Sequence, residues 1–263
     1  ISSDGRYLLH SNSNNQLALW DLNTSKLDTI FTGFKDQIIS IDVASDNHFT
    51  VGGVGSSGWL RIWDSKNVYQ DSIKNNFRMK PLISLQIDNR ESMVYGYGQD
   101  SILYQIDYTK KELKDYYYKK HTSPSYPSTA LLTDDARYYI SGHRDGTVKI
   151  WDKYNYKLYD ELKYSEGSIT TIDYDNDSKM LVYGDSFGNI VSYEVDRKRK
   201  RHLKKINSSI RKIHINSSRN FVSVYQNREI DFWYLHEPTY SYKRAVEKQN
   251  FNLSKMNGIE FHP

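Results

Sequence analysis

Three side chains in the stretch RYYISGHRDGTVKIWD, residues 137–152, could act together: the Ser141 hydroxyl, the Asp145 carboxylate and the Trp151 indole N–H. A hydroxyl and a carboxylate support nucleophilic or acid–base chemistry only when a base or metal completes the set. Otherwise they serve as partners in a buried hydrogen-bonded brace.

The rest of the chain supplies no such completion. His10, His48, His121, His143, His202, His214, His236 and His262 show no HExxH or comparable metal-ligand spacing. No GxSxG, P-loop or kinase signature occurs, and paired acids such as Asp134 and Asp135 sit among turn residues. Residues 53–58 (GVGSSG) match the dinucleotide fingerprint GxGxxG, but WLRIWD comes next and reads as a strand where the fingerprint needs a helix. That stretch is expected to be a Gly-rich hairpin turn. No catalytic residue, cofactor or metal site is expected, and no small-molecule substrate.

The polar trio is carried by a predicted hairpin, with β-rich runs at 138–141 and 147–152 joined by a reversal at Arg144, Asp145 and Gly146. With His121 thirty residues before Trp151, the stretch resembles a WD40 repeat. In that family a loop His, a strand Ser, a turn Asp and the Trp of the closing Trp-Asp pair form a hydrogen-bond relay. The resemblance implies such a relay through His121, Ser141, Asp145 and Trp151, making the fourth repeat the best braced.

The other repeats are degenerate copies. Residues 4–21 place Asn14 where Asp145 sits and close on Trp20; residues 33–64 have Phe34 for the loop His and Ser57 for the turn Asp, closing on Trp63. Residues 82–107 keep Asp100 but put Ile106 in the Trp position, so packing must replace hydrogen bonding there. Residues 169–194 close on Tyr193, residues 210–234 on Trp233, and 256–262 resemble a further first strand. The closing positions recur 43, 43, 45, 42 and 40 residues apart, the period of a four-stranded propeller blade.

The expected fold is therefore all-β: a WD40 β-propeller with six recognisable blades plus a partial one, in a single domain over residues 1–263. Its approximate repeats are 1–36, 37–80, 81–120, 121–166, 167–208, 209–250 and the partial 251–263. Three strands at the start and one at the end could close a six-bladed ring. Alternatively the chain is a fragment of a seven-bladed or larger propeller, the preferred reading because it starts at Ile1 and stops inside a repeat. Residues 1–3 look like the tail of a strand.

Composition bounds the function. An apolar fraction of 38% is modest for a single compact core but suits many small sheets, and 36 basic against 32 acidic residues fall short of the excess of a dedicated nucleic-acid binder. Without cysteine there are no disulfides or thiolate metal sites. No apolar run is long enough for a transmembrane segment, and an intracellular, cytoplasmic protein is expected, with a cytoskeletal, ciliary or nuclear assembly left open. The 23 Tyr residues suit interfaces or reflect a composition rich in Lys, Asn, Tyr and Ile.

The resemblance implies a non-catalytic scaffold that binds other protein subunits of a larger complex. Carried over position by position, the family's partner face would present Gln37, Gln99, Tyr126, Ser128, Arg144, Arg211, Gln226 and Lys255. Some family members that recruit ubiquitin-ligase scaffolds carry Arg two residues after Trp-Asp. Asn23, Lys66 and Tyr154 stand there, against that subclass. The alternative is binding of anionic lipid or nucleic acid through the basic run 197–205 (RKRKRHLKK), whose position otherwise reads as a solvated turn between strands.

Overall fold

The computed structural model describes residues 2, 4–45, 49–64, 67–71, 82–88, 91–100, 102–107, 110, 112–116, 125–133, 135–155, 157–164, 166–216, 221–226, 229–234 and 241–242. Its described elements are strands, grouped into antiparallel sheets in chain order. Sheet one is β1 (Tyr7–Ser11), β2 (Leu17–Asp21) and β3 (Lys26–Phe31). Sheet two is β4 (Ile38–Ser45), β5 (Phe49–Gly55), β6 (Leu60–Asp64) and β7 (Asn67–Asp71). Sheet three is β8 (Leu82–Asp88), β9 (Met93–Gly98), β10 (Leu103–Asp107) and β11 (Glu112–Tyr116).

Sheet four is β12 (Pro127–Leu132), β13 (Tyr138–His143), β14 (Thr147–Asp152) and β15 (Leu158–Lys163). Sheet five is β16 (Ile169–Asp175), β17 (Met180–Asp185), β18 (Asn189–Glu194) and β19 (Arg199–Lys205). Sheet six is β20 (Lys212–Asn216), β21 (Phe221–Gln226), β22 (Glu229–Tyr234) and β23 (Ser241–Tyr242). The chain divides near residue 124 into two compact units, the first with sheets one to three and the second with sheets four to six.

Burial explains the sequence pattern. Middle strands are the most deeply buried: β9, β10 and β13 are buried at every position, so the polar side chains they carry, such as Ser141 and His143, lie inside. Fourth strands such as β15 and β19 are largely exposed and carry charge. Each pair of successive sheets within a unit shares a core. Tyr7, Leu9, Leu17, Leu19 and Phe31 of sheet one meet Val43 and Trp63. Val54, Leu60 and Ile62 meet Leu82, Leu85, Val94, Tyr104 and Ile106. Tyr138, Ile140, Val148 and Ile150 meet Ile169, Ile172, Leu181 and Tyr193. Val182 and Ile190 meet Ile210, Ile213 and Ile215. Ile106, in the Trp position of its repeat, is 2% exposed in this packing.

Polar side chains on first strands add a second coupling. Ser40 Oγ and Asp42 Oδ2 of β4 accept the amides of Leu85 (3.0 Å) and Ile87 (2.7 Å) of β8. Thr171 Oγ1 and Asp173 Oδ2 of β16 accept those of Ile213 (3.1 Å) and Ile215 (2.8 Å) of β20. The matching motifs Ser40-Ile41-Asp42 and Thr171-Ile172-Asp173 thus do the same work in both units. A first strand has no further strand on that side of its own sheet, and the next sheet's first strand gains acceptors for amides otherwise buried without partners.

Two expectations need correction. Residues 197–205 are not simply a turn: the reversal ends at Lys198, and 199–205 form β19, in register with β18 from Glu194↔Arg199 to Asn189↔Lys205. Lys and Arg are poor strand formers in a sheet interior, but an outer edge leaves their heads in water. Ser2 is not the tail of a strand; its hydroxyl accepts the Tyr7 amide (2.9 Å) and donates to Asp4 (2.6 Å), as Thr133 does with Tyr138 (3.0 Å) and Asp135 (2.6 Å). The GxGxxG stretch is the end of β5, a turn at Ser56 and Ser57, and the approach to β6, as the hairpin reading expects. Residues 256–262 lie outside the described residues.

Close approach between sheets is set by glycine. A Cβ on Gly142 would stand 2.4 Å from Ile169 Cγ2 of the next sheet, and one on Gly184 would stand 2.8 Å from Ile210 Cγ2. Gly142→Ala is expected to lower the unfolding free energy in urea by about 1–3 kcal/mol through overpacking. Gly142→Ala with Ile169→Leu, which removes the β-branch that carries Cγ2, should recover part of that loss, and an unchanged midpoint for the single variant would refute the close contact.

Candidate functional site

Among the described residues, the expected partner residues lie in the loop leading into a first strand (Gln37, Tyr126, Arg211), at the start of one (Ser128), or at the junction of second and third strands (Gln99, Arg144, Gln226). A common geometry brings loop and junction together. The Arg144 amide donates to the Tyr126 carbonyl (3.1 Å), the Ser56 amide to Gln37 (2.8 Å) and the Ser186 amide to Ser168 (2.8 Å). Four first strands also carry a bulge at the same offset, between Ile38 and Ser40, Leu82 and Ser84, Pro127 and Thr129, and Ile169 and Thr171. The extra residue bends the strand end. In sheets four and five it is Ser128 or Thr170, whose hydroxyl donates to the carbonyl of Gly142 (3.1 Å) or Gly184 (3.2 Å).

In the second unit these contacts form a continuous rim. Ser128 also donates to the Ile169 carbonyl, joining sheets four and five. The Ile210 amide donates to the Asp185 carbonyl (3.1 Å), joining sheets five and six. Tyr126 is 65% exposed on this rim beside exposed Arg144, and exposed Arg211 stands at the lead into β20. Phe187 stands on the same rim, 58% exposed and lying against Gly167.

Phe187 is not among the residues expected from the family's partner face. It holds the position of Asp145 in the hairpin of sheet five, since Asp185-Ser186-Phe187-Gly188 matches His143-Arg144-Asp145-Gly146. That alignment is the sequence signal that could have found it. In the first unit, Gln37 and Gln99 are exposed at the corresponding loop and turn. Gln226 ends β21 opposite Glu229, the first residue of β22. Lys255 lies outside the described residues.

Of the implied relay, Ser141 is deeply buried and bonded to a different histidine. Ser141 and His143 are both 0% exposed and bonded to each other, Oγ to Nε2 at 3.0 Å, while His143 Nδ1 lies 3.1 Å from the Ser125 carbonyl. Only a ring N–H can satisfy that carbonyl, so Nδ1 carries the proton and Nε2 accepts from Ser141. Burial holds the His143 imidazole below its usual range, keeping it neutral. This serine–histidine pair is sealed from any substrate and serves as a brace. Asp145 binds the Thr147 hydroxyl (2.7 Å) and amide (3.1 Å), and its own amide donates to Ser125 Oγ (2.9 Å). Trp151 lies in β14 opposite Tyr139. His121 lies outside the described residues. No sequence signal beyond its place in the strand points to His143.

The degenerate turns are held by other groups. In sheet two Asp36 reaches from the leading loop to accept from Ser56 Oγ (3.1 Å) and the Ser57 amide (2.5 Å). Burial pushes its carboxyl up, but these donors outweigh it and hold Asp36 below the usual range. In sheet three Asp100 accepts from the Ile102 amide (3.2 Å) and the Tyr104 hydroxyl (2.7 Å). In sheet five Asp185 accepts from the Phe187 and Asn189 amides (2.9 and 2.8 Å) and from Asn189 Nδ2 (2.7 Å).

Among the described residues no group of three His, Cys, Asp or Glu side chains could hold a metal ion. What the rim offers is two exposed aromatic rings and two guanidinium groups on a hydrogen-bonded frame. Tyr and Arg are enriched where proteins bind proteins, because each combines a large contact area with directed polar groups.

A family model described as WD domain, G-beta repeat, matches residues 116–152. The chain is 26% identical over 229 residues to a guanine nucleotide-binding protein subunit beta-like protein of Encephalitozoon cuniculi, covering 75% of this chain and 67% of that protein. It is 19% identical over 185 residues to autophagy-related protein 16 of Arabidopsis thaliana, covering 70% of this chain but only 27% of that one. Among solved structures, the computationally designed Ika8 protein superposes with a TM-score of 0.68 at 17% identity, over 88% of this chain and 68% of its own.

Burial pushes the Asp145 carboxyl up, but the Thr147 donors outweigh it and leave it below its ordinary value. A depressed folded-state pKa stabilises above the unfolded value of about 4, and that stability is lost as pH falls through the folded value. Asp145→Ala is expected to cost about 1 kcal/mol near neutral pH, with the gap to wild type closing in acid. A gap independent of pH would show that the carboxylate is not the group responsible.

Proposed function

The chain belongs to the WD40-repeat family, and we propose that it is a non-catalytic scaffold holding other protein subunits of a larger assembly. Proteins of this family typically act as protein-interaction scaffolds. Under this reading each four-stranded sheet is one blade, and residues 1–263 belong to a single propeller of six or more blades. The 40-to-45-residue recurrence and the repeated hairpin geometry support it. Among the described residues no helix is long and apolar enough to cross a membrane, and an intracellular site of action is part of the proposal.

One observation carries the reading: the rim that joins sheets four, five and six through Ser128–Ile169 and Asp185–Ile210 and presents Tyr126, Arg144, Phe187 and Arg211. Anchors on a frame fixed by backbone bonds lose little conformational freedom on binding, so more of their contact energy appears as affinity. Gln37, Gln99 and Gln226 supply adaptable amides at equivalent places of other sheets. The relay through His121, Ser141, Asp145 and Trp151 belongs to the same proposal as a brace behind the rim.

Tyr126→Ala, Arg144→Ala and Phe187→Ala remove exposed groups and should leave the melting temperature within a degree or so of wild type. Quantitative co-purification with the full-length protein tests the reading. At least one of the three is expected to reduce a stoichiometric partner severalfold, as truncating an interface anchor does. Full partner recovery in the triple variant would overturn the assignment of the rim.

A further inference from the structure

The outer edge of sheet five carries charge that the rim does not use. β19 ends the strand order of its sheet, so its far side is an open edge among the described strands. Residues 197–205 include seven Lys and Arg. Carboxylates stand beside the first of these residues: Glu194 lies 3.1 Å from Arg197 and 3.8 Å from Arg199, and Asp160 lies 3.8 Å from Lys198. Asp196 adds one more in the turn.

The strand's alternation divides these cations between both flanks. Lys198 Nζ sits 4.7 Å over the Tyr159 ring, Lys200 Nζ 5.1 Å over Tyr164, and His202 stacks on Tyr164 at 5.0 Å. Lys198, Lys200 and His202 therefore line the flank towards β15, and by alternation Arg199 and Arg201 line the other. Ser192 Oγ of β18 points at the Arg201 carbonyl (3.5 Å), which turns the Arg201 backbone inward. In an antiparallel strand the amides and carbonyls of the neighbouring residues then face outward, here those of Lys200 and His202.

An edge flanked on both sides by cations repels a second copy of itself and complements an extended acidic chain. We propose that β19 is a docking edge for an acidic extended segment of a partner protein, which adds as a fifth strand of sheet five with Asp or Glu side chains on both of its faces. A lipid headgroup or a nucleic-acid backbone could meet the cations, but its phosphates would confront the outward carbonyls. A peptide strand pairs with those carbonyls and amides as well as with the charges. This edge is separate from the rim, and binding at one does not depend on binding at the other.

The test uses the full chain and a fluorescent peptide in which adjacent pairs of Asp or Glu alternate with Val-Thr pairs, so that both faces of the extended strand carry acids. A second peptide has the same sequence with alternate backbone nitrogens methylated, which keeps the charge and removes strand pairing. Fluorescence anisotropy is expected to show binding of the first peptide and a loss of about tenfold or more for the second, the worth of one or two hydrogen bonds. Arg201→Glu should also weaken the first peptide. Equal binding of the two peptides would overturn the proposal. So would tighter binding of phosphatidylserine vesicles or of single-stranded DNA than of the unmethylated peptide, since either result would assign the edge to charge alone. The methylated peptide requires no change to the protein, so a folding defect in Arg201→Glu leaves the test intact.

Discussion

In each unit the last two sheets are tied together by the way one first strand satisfies the next. Ser40 and Asp42 receive the amides of Leu85 and Ile87, and Thr171 and Asp173 those of Ile213 and Ile215. A first strand has a hydrogen-bonded neighbour on one side only, so its other row of donors and acceptors would be costly to bury. Side-chain acceptors from the preceding sheet resolve that cost and fix the register between sheets, while Ile169 against Gly142 and Ile210 against Gly184 fix their separation. Sheets packed by apolar contact alone could slide; these cannot without unpairing a buried amide.

With the sheets of a unit indexed in this way, the bulges and the leading-loop contacts fall at equivalent heights, which turns the separate hairpins of sheets four to six into one rim. The hairpin frame is mostly backbone to backbone in both units, as in Arg144 to Tyr126, Ser56 to Gln37 and Ser186 to Ser168. Its side chains are correspondingly free to differ, and they do: Arg144, Ser56 and Ser186 hold one position, and Asp145, Ser57 and Phe187 the next.

Much of this architecture is legible in the sequence. The hairpin at 138–152, the three-stranded first sheet and the burial of Ile106 all derive from alternation, turn residues and the recurrence of the closing position. The basic strand β19 reads as a turn because charge is compatible with a strand only at an edge, and edge position is not visible in a string. His143 and Asp36 escape a sequence reading for a related reason. Each acts through a hydrogen bond whose partner is recognisable only when the distance is known. The sheet-to-sheet acceptors Asp42 and Asp173 sit in two similar motifs, but an acid in a strand has no meaning until its neighbour's open amides are located.

The turns of sheets two, three and five show the effect of relying on a backbone frame. Their polar clasp is built in turn from Asp36, Asp100 and Asp185, which arise from different places in the repeat. The clasp is thus a function that can migrate along the chain while the hairpin keeps its shape, so neutral drift can erase the repeat's spelling without erasing the repeat. The family model matches residues 116–152, and in the other five sheets the kinship between repeats survives in geometry more than in letters.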